Sequence, residues 1–329
     1  MIKSIHLSGF KSFIDEEIEF GKLTILSGLN SSGKSSVIQA IQLLEKANKA
    51  EEIYLEGHGN ISESQNPYVR DGVGLECLLT DGTSVEILNN KRSESNNAHI
   101  EFPEIIHISA DRFGPETSLP INNIYGKLGK RGENLFKCID SVSDKIIPET
   151  LIHPDSEGET FLFNLRAWLG IISPNVNFES FIQEKSDSSY STFNTYRSKN
   201  VGFGLSYSLP IITALLLGSI TPNSIVILEN PEAHLHPRGQ TEIAKLISLC
   251  VDAGVQILVE THSDHLFDGI RLYCKNNDNF NKEVCTYWFE LDKNRNTDTS
   301  KVSIDGNGRI KDWPKGMFDQ FSINASKLL

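Results

Sequence analysis

The run Gly28-Leu29-Asn30-Ser31-Ser32-Gly33-Lys34-Ser35 fits the phosphate-binding pattern G-x-x-x-x-G-K-[ST] without a mismatch. Gly28 and Gly33 let the backbone take conformations closed to other residues, so that successive N–H groups point inward at an anion. A helix opening near Lys34 adds about half a positive charge at its N-terminus. Lys34 then supplies a point charge for the β- and γ-phosphates, and the Ser35 hydroxyl a ligand for Mg²⁺. Asn30, Ser31, Ser32 and Ser36 complete the residues expected to line the nucleotide. The bland alternative is a glycine-rich turn before an ordinary helix.

The elements that must hold the loop flank it. Leu23-Thr24-Ile25-Leu26-Ser27 is a short apolar run with a β-branched centre, and Val37 to Leu44 repeats apolar residues at helical spacing. Strand, glycine loop and helix are the context the pattern requires.

The chain has 329 residues, enough for one large or two medium domains with a sizeable core. Its apolar runs, such as Ile211 to Leu217, are core-sized, and no membrane span is expected. Met1-Ile2-Lys3 leads straight into a strand pattern, so no signal peptide is expected. The 5 cysteines (Cys77, Cys138, Cys250, Cys274, Cys285) are scattered, which fits neither a disulfide framework nor a zinc motif and points to a reducing cytoplasm. The net charge of −12 argues against non-specific coating of nucleic acid, though it leaves room for a local basic patch.

Ile2, Ile5 and Leu7 alternate with polar residues up to Gly9-Phe10-Lys11-Ser12-Phe13, and Ile18-Glu19-Phe20 suggests a paired second strand. This opening, followed by the glycine loop, resembles the N-terminus of the ABC-type ATPase heads of SMC, RecF and OLD-like proteins. The resemblance implies an α/β head with a mixed core sheet, an N-terminal antiparallel β lobe and a helical insertion, and it places Lys11 and Ser12 near the base and ribose. Val73 to Leu79 and Ser84 to Leu88, joined by Thr80-Asp81-Gly82-Thr83, read as a hairpin. Asn89 to Ala98 reads as an exposed loop. After the strand Glu104 to Ile108 the family has a coupling glutamine; here Asp111 or Arg112 stands for it, with a structural salt bridge as the alternative. Residues 116–200 show helical patches without sustained heptads, so a compact helical lobe is expected and no long coiled coil.

The second half carries further segments of the resemblance. Gly202, Gly204 and Ser206 stand where the family's signature binds the γ-phosphate held by another subunit. Ser224 to Glu232 resembles the Walker B strand, with Glu229 in place of the metal-holding Asp and Asn230 in place of the catalytic Glu. An amide cannot take a proton at neutral pH but can orient water. Either the protein is mainly an ATP-gated clamp or Glu232 substitutes as base; we expect slow, retained hydrolysis. His262, in Glu260-Thr261-His262-Ser263, resembles the switch histidine that reports the γ-phosphate. His234, His236, His262 and His265 read together would instead be metal ligands.

These segments, with Trp313-Pro314-Lys315-Gly316-Met317-Phe318-Asp319, resemble a compact prokaryotic branch with a C-terminal domain of unknown function, whose members often sit in anti-phage operons beside an effector. The expected division is 1–115 and 201–275 for the two parts of the head, 116–200 for the helical lobe and 276–329 for a β-containing extension. The resemblance implies a homodimer or higher even oligomer sandwiching nucleotide head to head, and a separate effector such as a nuclease or toxin. The alternative is a RecF-like DNA-repair ATPase. A fused nuclease domain is not expected after Ser263, and no N-K-x-D segment supports a GTPase.

Overall fold

The structure, a computed structural model, describes residues 1–93, 100–121 and 127–328. Two units emerge from its contacts, Met1–Glu104 with Asn279–Leu329, and Ile105–Asp278. The last part of the expected loop Asn89 to Ala98, from residue 94 onward, lies outside the described residues.

In the first unit the alternation of Ile2, Ile5 and Leu7 places those side chains in the core and builds an antiparallel sheet. The strand Ile2–Ser8 pairs with Asp15–Glu19 on one side and Gly74–Leu79 on the other, and Ser84–Leu88 and Lys91–Arg92 follow outward. The Asp81-Gly82 turn closes the hairpin as its sequence predicts: Gly82 takes φ +88° and the Asp81 carboxylate accepts the Thr83 N–H at 2.9 Å. The helix Lys34–Asn48 lays Val37, Ile41 and Leu44 against this sheet. The phosphate-loop strand Leu23–Gly28 is buried throughout and runs parallel to Val284–Leu291, which pairs antiparallel with Thr297–Val302.

In the second unit the strand Ser224–Glu229 runs parallel to Gln256–Glu260, with Glu104–Ile108 on its other side. Near-continuous apolar runs are what parallel strands covered on both faces require. The helix Phe203–Ile220 packs against this strand and against the helices Phe161–Ile172 and Pro237–Asp252. By length and composition alone it would cross a membrane, but 67% of it is buried, as in a core helix.

Between residues 116 and 200 the helices Leu135–Val142 and Phe161–Ile172 form where the sequence shows helical patches. They are joined by an antiparallel sheet the sequence did not announce, Phe178–Gln183 with Ser188–Phe193, flanked by Leu119–Pro120 and Tyr196–Arg197. The reason is chemical. The inward face of Ser188–Phe193 carries Ser189 and Ser191, which stay buried because Ser189 donates to the Leu119 carbonyl at 3.3 Å and Ser191 bonds Ser198 at 2.8 Å. A buried face made of satisfied hydroxyls leaves no apolar alternation to read. The longest described helix has 18 residues, so the described residues hold no long coiled coil.

Candidate functional site

The phosphate loop of the first unit is shaped before any ligand arrives. Gly28 has φ +154°, and a Cβ there would lie 2.2 Å from the Phe289 carbonyl oxygen, so the neighbouring strand leaves space only for glycine. Ser31 and Gly33 take left-handed φ values of 62° and 107°. The helix Lys34–Asn48 begins at Gly33 with no side-chain cap and no acidic residue in its first turn, which leaves its positive end to an anion. Lys34 is 3% exposed, and its ammonium donates to the carbonyls of Leu29 at 2.7 Å and Gly28 at 3.2 Å. Ser32 Oγ also donates to the Leu29 carbonyl, at 2.7 Å, while Asn30, Ser31 and Ser35 face solvent and Ser36 is buried.

Lys11 and Ser12 are brought to this loop. Lys11 sits at φ 52°, its ammonium bonded to Gln39 Oε1 on the helix that follows the loop, and burial pulls its pKa below the usual lysine value. Ser12 Oγ lies 2.6 Å from Thr297 Oγ1, which in turn donates to the Ser32 carbonyl at 2.9 Å.

In the second unit the carboxylates at the end of Ser224–Glu229 are held differently from one another. Glu229 accepts from His107 Nε2 at 2.8 Å and from the Ala110 N–H at 3.3 Å. Glu232 uses Oε1 to accept the His262 N–H at 3.0 Å, while its buried Oε2 has no hydrogen-bond partner. A buried carboxylate oxygen without a donor is costly unless it meets a proton or a ligand. Asn230 adopts φ 45° and donates its N–H to the Glu260 carbonyl at 2.8 Å. The left-handed conformation that Asn tolerates better than Glu gives the amide at this position a backbone reason.

Of the two coupling candidates, Arg112 reaches across the unit. Its guanidinium is 2% exposed and donates to the carbonyls of Tyr207 at 3.0 Å, Ser109 at 3.2 Å, Glu229 at 2.9 Å and Asn230 at 2.8 Å. Burial pulls its pKa down to about 10, so it stays charged at neutral pH. Asp111 instead faces solvent, bonded to Ser109 Oγ and paired with Arg131 at 3.2 Å, and the Ser109 hydroxyl holds its carboxyl below the usual range. Arg112→Ala should lower unfolding free energy by about 3 kcal/mol or more, because each buried carbonyl left without a donor costs roughly 1–3 kcal/mol. Urea titration checks this; a loss below about 1 kcal/mol would mean that water replaces the guanidinium.

Gly202 caps the helix Phe203–Ile220, and a Cβ on it would meet nothing, whereas one on Gly204 would lie 3.2 Å from the His234 carbonyl oxygen. Ser206 Oγ is buried without a hydrogen-bond partner. Pro210, inside the same helix, has no N–H to offer the Ser206 carbonyl four residues earlier. The rings of Phe203, Tyr207 and His234 cluster here, His234 and Tyr207 with centroids 4.3 Å apart.

No group of three or more His, Cys, Asp or Glu side chains among the described residues is placed to hold a metal ion, so the four-histidine reading is set aside. Magnesium asks less, one or two protein oxygens beside phosphate and water. The Ser35 hydroxyl and the Glu229 carboxylate are donors of that kind. His107 and Thr297 were missed from sequence: His107 ends a buried strand with no motif around it, and Thr297 follows Asp292-Lys293-Asn294-Arg295-Asn296, which reads only as a polar turn.

Residues 1–110 match the family model described as AAA ATPase domain, and residues 169–268 the one described as AAA domain, putative AbiEii toxin, Type IV TA system. Residues 281–328 match a protein of unknown function, DUF3696. The DNA replication and repair protein RecF of Rippkaea orientalis is 39% identical over 110 residues, 31% of this chain and 28% of the relative. That of Synechocystis is 34% identical over 65 residues, 18% of this chain and 17% of the relative. The matched stretches thus span 28% and 17% of these two curated relatives. An SMC head bound to the C-winged helix domain of ScpA superposes with a TM-score of 0.55 at 14% identity, over 92% of this chain and 98% of that one. A Pyrococcus furiosus SMC head with an extended coiled coil bound to the C-terminal domain of ScpA gives 0.50 at 12% identity, over 99% of both chains. The fold is that of an SMC-type ABC ATPase head carrying a C-terminal segment of unknown function.

Proposed function

We propose that this chain binds Mg-ATP, hydrolyses it slowly, and works as a nucleotide-gated dimeric sensor or scaffold controlling a partner effector, in anti-phage defence. What carries the reading is Lys34, a buried ammonium held on loop carbonyls at the start of a helix that no side chain caps. Lys34 takes the β- and γ-phosphates, with Gly28 and Asn30 to Ser36 around them and Lys11 and Ser12 toward base and ribose. Ser35 and Glu229 serve the metal. When bound, Mg²⁺ neutralises charge on the transferred phosphoryl group. Glu232 takes the proton of the attacking water, Asn230 orients that water, and His262 reports the γ-phosphate. Arg112 couples the strand ends to the signature helix, leaving Asp111 as a solvent-facing ion pair. Gly202, Gly204 and Ser206 meet the nucleotide of the second copy. The toxin-system match over residues 169–268 supports a nuclease or toxin as the effector. Free cysteines, four of the five buried, fit a cytoplasmic setting.

Gating of this kind requires ATP to bind the dimer more tightly than the separate subunits. Light scattering should therefore show mass doubling on adding Mg-ATP, and Ser206→Arg should abolish the doubling while the single subunit still binds ATP, more weakly than the unmutated dimer does. An unchanged mass in the unmutated protein would refute the switch.

The identity to RecF supports a second reading, a DNA-repair ATPase. It requires ATP-dependent DNA binding whose affinity falls steeply with salt, and absence of such binding at low salt would remove it.

A further inference from the structure

We infer that the C-terminal segment, matched until now only to a description of unknown function, supplies a positioning residue for the phosphate loop, Thr297. The inference rests on the nucleotide-binding reading above and adds to it a role for residues outside both ATPase matches.

The turn before Thr297 is closed by hydrogen bonds to Asp292. The Asp292 N–H donates to the Asn296 carbonyl at 2.8 Å, and the Asp292 carboxylate accepts the N–H groups of Asn294 at 2.8 Å and Asn296 at 2.7 Å. This Asp-headed turn delivers Thr297 in a fixed direction. Its N–H donates to the Ser12 carbonyl at 2.7 Å. Its hydroxyl makes two bonds, one to the Ser32 carbonyl and one with Ser12 Oγ. A carbonyl can only accept, so the Thr297 proton goes to Ser32 and the Ser12 hydroxyl donates to Thr297. The result is a directed chain, Ser12 O–H to Thr297 O–H to Ser32 C=O, whose members polarise one another.

That chain fixes a peptide plane. Ser32 stands between two residues with left-handed φ, Ser31 and Gly33, and its carbonyl is held by Thr297. In a trans peptide the carbonyl and the next N–H point in opposite directions. Tying the Ser32 carbonyl to Thr297 therefore aims the Gly33 N–H to the side away from Thr297, as a donor set before the anion arrives. Contact is close: a Cβ on Gly33 would lie 2.5 Å from Thr297 Oγ1. A parallel tie steadies the Ser12 end, since Asn66, 1% exposed, donates from Nδ2 to the Lys11 carbonyl at 2.8 Å and to Asn296 Oδ1 at 3.3 Å.

The test compares Thr297→Val, which loses the hydroxyl at nearly constant volume, with Thr297→Ser, which keeps it. Affinity for a fluorescent ATP analogue, KM and kcat, and the melting temperature are read for both, with unmutated and Lys34→Ala protein alongside. Thr297→Val should raise Kd and KM about tenfold with kcat within about threefold, and Thr297→Ser should stay within about twofold of the unmutated protein. If Thr297→Val loses its folded circular dichroism, Thr297→Ala takes its place with the same expectation. A Kd within twofold for the hydroxyl-free variant, or an equal loss in the serine variant, overturns the positioning role alone. Unmutated protein that binds no better than Lys34→Ala overturns the nucleotide reading, and this inference with it.

Discussion

Replacing Lys34 by alanine is expected to weaken ATP binding by about 100-fold or more and to abolish turnover. The ammonium is the one formal charge the loop offers the phosphates, and charge-assisted hydrogen bonds are worth roughly 1.5–3 kcal/mol each, so losing more than one reaches about 100-fold. The fold should survive. Lys34 donates to the loop carbonyls of Gly28 and Leu29, neutral acceptors whose loss of a partner costs less than an uncompensated buried charge would. Calorimetric titration with Mg-ATP, with thermal unfolding as control, checks both halves. An unchanged Kd would leave the glycine loop as a turn and nothing more.

The second large effect belongs to Glu232. General-base catalysis contributes typically 10²–10⁴-fold, so Glu232→Gln should lower kcat by about 100-fold or more with ATP affinity nearly kept. The unpartnered Oε2 is what singles this carboxylate out, because Glu229 has both oxygens engaged. Glu229→Gln should act differently, raising the Mg²⁺ concentration needed for half-maximal turnover. Single-turnover kinetics across a magnesium series separates the two, and a double variant with unchanged turnover would show that neither carboxylate serves the reaction. Restoring the missing acid, Asn230→Glu, tests the backbone explanation for the amide: a glutamate forced to φ 45° should cost stability, about 1 kcal/mol.

Legibility followed the spacing of particular residues. Gly28, Gly33 and Lys34 marked out the glycine loop because its tight backbone tolerates few residue types at few positions. The strand around Ile225 to Leu228 was legible because a buried parallel strand must be apolar on both faces. The sheet of residues 178–193 was not, since its buried serines replace the apolar alternation with hydroxyls that only their partners make tolerable. His107 and Thr297 were hidden for a related reason. Each acts through one contact made far along the chain, 122 residues from His107 to Glu229 and 265 from Thr297 to Ser32, and such a contact leaves no periodic trace.

The sequence by itself marked the glycine loop as the candidate anion site, the buried strand ending at Glu229, and the order of the segments resembling an ATPase head, because these depend on local conformation and on patterns a few residues long. Only the tertiary structure decided that Arg112 rather than Asp111 spans its unit, that Glu232 leaves one buried oxygen unpartnered while Glu229 does not, and that Thr297 of the C-terminal hairpin bonds the Ser32 carbonyl. Those outcomes turn on which buried donors and acceptors find one another, and that is settled by packing between residues the chain order keeps apart.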